Sequence, residues 1–139
     1  TQITRYIAVD GEKKEQIADS CAEMFANNGV IIKNAPVLMV LTYIKGRSGY
    51  ERDGSFTTSK GDRWQMFDAG IASQSFCLAA YEQGLGSVIL GIFDDAKVAS
   101  ILEIPENQEV AALIAVGYPD EEPAAPKRKP VADLLSFIH

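Results

Sequence analysis

The chain has 139 residues, 47% hydrophobic and 23% charged, which suits one globular domain built on a single core. Its net charge of -6 and pI near 4.7 argue against a nucleic-acid partner, because such proteins carry a basic face. No apolar run reaches membrane-spanning length without polar interruption and no signal peptide is visible, so Cys21 and Cys77 read as free thiols of a cytoplasmic protein.

Residues 5–9 (RYIAV) form a short strand candidate, closed by the turn signal Asp10-Gly11. Residues 12–27 then read as one helix, with Ile17, Cys21, Met24 and Phe25 on a stripe and Asn28-Gly29 as its stop. The run at 36–44 (PVLMVLTYI) is nearly all apolar, as in a strand covered on both faces. Residues 45–63 change character. Gly46, Gly49, Gly54 and Gly61 are scattered among polar residues, with Tyr50 and Phe56 as isolated aromatics, and a segment of that length is rarely a plain connector. Residues 64–83 read as a long helix in which only Asp68 and Glu82 carry charge. It would run about 30 Å. A helix apolar on every side is a buried one, and a chain of this size does not bury it alone, so a partner subunit or a large cofactor is expected. Gly84-Leu85-Gly86 ends it, residues 87–90 form a strand, and Asp94 caps a short helix reaching Leu102. Residues 109–116 (EVAALIAV) are another buried strand. Pro119, Pro123 and Pro126 make the next segment an extended arm, and residues 131–138 read as a short amphipathic closing helix. Strands alternating with helices indicate a layered α/β or α+β fold.

The chemistry is constrained first by what is missing. The single histidine is His139, at the very end, so neither a Ser-His-Asp arrangement nor an imidazole-based metal site is expected. Asp94-Asp95 opens a helix and reads as a cap. Gly84-Leu85-Gly86 lacks the third glycine of a dinucleotide fingerprint. No side chain is therefore expected to be the catalytic group, and a bound cofactor must supply the reactive atoms. Two features suit one. Lys127-Arg128-Lys129, between Pro126 and Pro130, could grip a phosphate, or could simply be a solvated patch that offsets Asp120, Glu121 and Glu122. At Leu90-Gly91 the missing side chain lets backbone approach a flat ligand, although an ordinary strand-to-helix turn explains that glycine equally simply.

The run WQMFDAGIASQSFCLAAYEQGLGSVILGIFDD, followed by EVAALIAVGYP and PKRKP, resembles the nitroreductase family of FMN-dependent oxidoreductases. The likeness covers nearly all of the chain, and TQITRYIAV fits the segment that precedes the first core strand in many members. It implies an α+β fold: a three-layer α/β/α sandwich with a mixed central sheet and a long central helix packed across the two-fold of a homodimer. FMN would sit at that interface, held at its phosphate by Arg128 with Lys127 or Lys129. Ile89, Leu90 and Gly91 would line the isoalloxazine, with the Gly91 N–H near flavin N5, and Gln2 would lie near the flavin edge. Tyr50, Phe56 and Trp64 fall where members vary the substrate pocket.

The implied activity is hydride transfer from NAD(P)H through flavin N5 to a nitroaromatic, quinone or similar electron-poor acceptor, with ping-pong kinetics. The alternative is a non-catalytic, flavin-binding homologue that acts as an interaction or carrier protein. Members also carry helices upstream of Thr1, including an arginine-rich box at the phosphate. The expectation is therefore one domain over residues 1–139 that lacks its N-terminal helices and binds FMN weakly.

Overall fold

The apolar run after Pro36 becomes the middle of the sheet. In this computed structural model, which describes residues 2–138, β2 (Val37–Ile44) pairs with β1 (Thr4–Val9) on one side and β4 (Gln108–Gly117) on the other. β3 (Gly86–Leu90) lies outside β4, giving the order β1-β2-β4-β3. His139 lies outside the described residues.

Every hydrogen-bonded pair is antiparallel, which corrects the expected mixed sheet. The reason is topological. β2 and β3 both run opposite to β4 and hence parallel to each other, as a helical crossover would leave them, but β4 occupies the gap between them.

Three layers follow from the side-chain alternation of β2. Leu38 and Val40 point to one face, where they pack with Ile17 and Cys21 of α1 (Gly11–Met24), Ile32 of α2 (Ala26–Asn34) and Val98 of α4 (Asp95–Leu102). Leu41 and Tyr43 point to the other, against Ala69 of α3 (Arg63–Glu82). The register slips between Leu41 and Thr42, which oppose Ala112 and Val110, so Ala111 is an extra residue in β4.

The helix expected at 12–27 is in fact two. The chain breaks at Phe25, whose φ of -152° and ψ of 104° are extended, and α2 then runs straight through Asn28-Gly29. Gly29 is needed for packing and does not stop the helix. A Cβ there would lie 2.7 Å from the Ala22 Cβ and 2.8 Å from the Ala18 carbonyl oxygen. Lys14 closes the far end of α2. Its buried Nζ donates to the carbonyls of Ile32 (3.2 Å), Lys33 (3.2 Å) and Ala35 (2.6 Å), the acceptors a helix C-terminus leaves unpaired.

The closing helix expected at 131–138 is reduced to one 3-10 turn, Val131–Asp133. Val131, Leu134, Leu135, Phe137 and Ile138 are all exposed, so the periodic apolar side chains have no surface of this chain to fold against.

Candidate functional site

β3 is an edge strand, paired on one side only. Leu90, 5% exposed, anchors its end in the core, whereas Ile89 (46%) and Ile92 (50%) stay open. A Cβ built on Gly91 would meet no atom within 4 Å. The 89–92 edge thus presents accessible backbone bordered by apolar side chains, a surface that accepts a flat and largely apolar ring. Asp94 fixes the start of α4, its carboxylate accepting from the Lys97 N–H at 3.0 Å in the expected cap. One contact here had no signal in the sequence. The buried Asn28 of α2 donates from Nδ2 to the Ile92 carbonyl at 2.9 Å.

Lys127, Arg128 and Lys129 are exposed, and among the described residues they make no ion pair or hydrogen bond. Three uncompensated cations on an extended arm have the chemistry a phosphate needs, but no such contact ties them to the 89–91 edge. The arm nearer β4 borders a different hollow, about 680 Å³, with Cys77, Tyr81 and Leu85 opposite Asp120, Glu121 and Glu122. Its acidic wall does not suit an anion.

Gln2 does not join the edge within one chain. It lies beside β1, where it lines a shallow hollow with Asp68 and Ile71 of α3, and three strand spacings, about 14 Å, separate β1 from β3. The residue triad expected for a substrate pocket is partly assembled. Tyr50 and Phe56 form an isolated bridge with ring centroids 5.0 Å apart, while Trp64 opens α3 and donates from Nε1 to Thr58 Oγ1 at 3.0 Å. Gly49 and Gly61 let the two parts close up, since a Cβ on Gly49 would come within 2.3 Å of the Gly61 oxygen and 3.1 Å of the Trp64 ring. Trp64, Phe67, Lys60 and Arg63 surround a hollow of about 480 Å³ on the outer side.

The long helix turns its small residues inward. Ala69, Ser73 and Ala80 are buried, whereas Met66, Phe67, Ile71, Leu78 and Tyr81 are 51–81% exposed. One chain supplies a surface for one face only. Below the helix, the Tyr43 hydroxyl donates to the Glu109 carboxylate, and burial together with that acceptor raises the phenol well above its ordinary value. Burial likewise pushes the Cys21 thiol up, as expected of an inert core cysteine, and both cysteines are free.

Against known proteins, the profile described as "Nitroreductase family" matches residues 26–118. The chain belongs to the nitroreductase family. It is 31% identical, over 139 aligned positions, to an NADPH-dependent oxidoreductase of Staphylococcus haemolyticus, covering 94% of this chain and 51% of that protein. Among solved structures, a nitroreductase family protein of Streptococcus pneumoniae superposes with a TM-score of 0.83 at 23% identity, over 99% of this chain and 80% of that one. An FMN-dependent nitroreductase of Clostridium difficile gives 0.66 at 28% identity, over 90% and 68%. These likenesses uphold the α+β fold. The nitroreductase chain spans 50–62% of the length of the curated relatives it matches first.

Proposed function

We propose that this nitroreductase chain is the FMN-binding domain of an NAD(P)H-dependent oxidoreductase, a single domain over residues 1–139. The observation that carries the reading is the open Gly91 edge at the end of an edge strand, in a chain of this family. The Staphylococcus haemolyticus relative is named for NADPH and the Clostridium difficile structure for FMN. FMN would supply the redox chemistry when bound, taking hydride from NAD(P)H and passing it to an electron-poor acceptor such as a nitroaromatic or quinone.

The chain's own residues bind and orient. The Gly91 N–H donates toward the flavin edge, Ile89 excludes water from one face, and Leu90, buried in the core, contributes backbone beside the ring. Arg128, with Lys127 or Lys129, pairs with the phosphate, and Gln2 reaches the flavin of a second copy. Tyr50, Phe56 and Trp64 border the acceptor. The distance between β1 and β3 and the apolar outer face of α3, which a two-fold mate would cover, support sharing of the site between two copies. Two free cysteines support a cytoplasmic location.

The absorbance spectrum of the purified chain with FMN, before and after NADH or NADPH under argon, tests the reading. Flavin bands perturbed by the protein and bleached by either donor support it. A protein that takes FMN and is not bleached is the non-catalytic homologue. Initial rates at several donor and acceptor concentrations should give parallel double-reciprocal lines; intersecting lines exclude ping-pong exchange.

A further inference from the structure

The segment that would face the flavin is short of fixings. β3 leaves its ladder at Leu90, opposite Leu113, and the α4 cap begins at Asp94. Between them Gly91, Ile92 and Phe93 belong to no strand or helix. Phe93 packs against the core, and among the described residues one side-chain hydrogen bond from a distant element reaches the segment: Asn28 Nδ2 donates to the Ile92 carbonyl at 2.9 Å across 64 positions of sequence. Asparagine is a poor helix former and an amide is costly to bury, yet Asn28 lies within α2 at 5% exposure. Its neighbour Gly29 is pressed onto Ala18 and Ala22 of α1, so the packing of α1 on α2 sets where the donor stands.

We propose that Asn28 is a positioning residue for the flavin-facing edge: its amide pins the Ile92 carbonyl, and with it the Ile92-Phe93 peptide plane, so that the short run beginning at Gly91 is held at its far end. The proposal rests on the reading that this edge faces FMN. An apolar side chain at position 28 would fill the same space between α2 and the loop, but only a donor can orient one carbonyl. The same contact links the rigid α1-α2 pair to the most open backbone of the candidate site.

The test uses the full chain with Asn28→Asp, which keeps the shape and removes the donor at neutral pH, and Asn28→Leu, which keeps the volume. Backbone amide order parameters are measured without ligand, and FMN affinity is then measured by titration. In both variants the order parameters of residues 91–93 should fall from about 0.85 to below about 0.6, with those of residues 31–34 unchanged. The FMN dissociation constant should rise about tenfold, as for loss of one oriented hydrogen bond. Unchanged order at 91–93 overturns the proposal, as does loosening spread evenly over α1 and α2, or failure of both variants to fold, which would assign Asn28 to folding alone. If the unmutated chain takes no FMN, the flavin reading falls, while the order parameters still decide whether Asn28 holds the loop.

Discussion

Replacing Gly29 with alanine sets two effects against each other, and the geometry decides between them. Helix propensity favours the change by about 1 kcal/mol, because glycine is the worse helix former. Packing opposes it. The new Cβ would lie 2.7 Å from the Ala22 Cβ and 2.8 Å from the Ala18 oxygen, and one of these atoms is backbone that no rotamer change can move. Ordinary carbon contacts are about 3.5–4.0 Å, so α1 and α2 must part by roughly 1 Å. Overpacking of this kind costs about 1–3 kcal/mol, and the backbone clash puts Gly29→Ala in the upper half of that range. The net expectation is a loss of about 1–2 kcal/mol, or roughly 3–7 °C in melting temperature. Urea unfolding followed by circular dichroism reads it directly, with a lower midpoint and an unchanged slope. A midpoint equal to or above that of the parent would refute the argument and mean that α1 and α2 accommodate the added methyl group without cost.

The helical Gly70 is the matched control, because a Cβ there meets nothing within 4 Å. Gly70→Ala should stabilise an isolated chain by about 0.4–1 kcal/mol, and destabilisation together with a smaller mass by light scattering would place a second copy on that face of α3. Gly91→Ala should leave the urea midpoint within about 0.5 kcal/mol, since it too meets nothing, while weakening FMN binding at least tenfold; unchanged FMN affinity would take the flavin off this edge. Lys14→Met strands three carbonyls at the end of α2 and should cost about 1–3 kcal/mol in the same unfolding assay; a change below about 0.5 kcal/mol would mean that water replaces the ammonium. Tyr43 has a folded-state pKa above its unfolded one, so the stability it contributes is complete below about pH 10 and lost as pH rises through the raised value. Melting curves should therefore fall in alkali less steeply for Tyr43→Phe than for the parent, although the raised Cys21 and Tyr6 leave some slope in both.

Elements defined by local chemistry were legible in the sequence. The Asp94 cap, the Gly84 stop and the four strands needed only neighbouring residues to specify them, and their observed ends differ from expectation by a residue or so. What depended on distant packing was not legible. Asn28-Gly29 carries a helix-stop signature, and nothing nearby reveals that Gly29 is needed for contact with Ala22. The 131–138 stripe has helical spacing, but periodicity cannot say whether a receiving surface exists. The candidate site divides the same way. Its glycine edge and cationic arm could be read residue by residue, whereas the separation of Gln2 from Gly91 follows from β2 and β4 lying between their strands. Asn28 could not have been found from sequence, because its partner is a backbone carbonyl and leaves no side-chain signature.

The extra residue at Ala111 is the point where β4 can lose one residue without changing what its side chains face. The strand residue opposite Tyr43 is Glu109, on the α3 side, and the one opposite Val40 is Leu113, on the α1 side. Deleting Ala111 would close the bulge and leave Ala112 opposite Leu41 and Val110 opposite Thr42, so residues 108–110 would keep their faces, with Glu109 on the α3 side and Val110 in the α1 core. A single codon removed at that point would change the local bend and twist of the strand and leave the buried core residues as they are. Among homologous chains aligned through β4, a one-residue gap is therefore expected at position 111 before any other position of the strand.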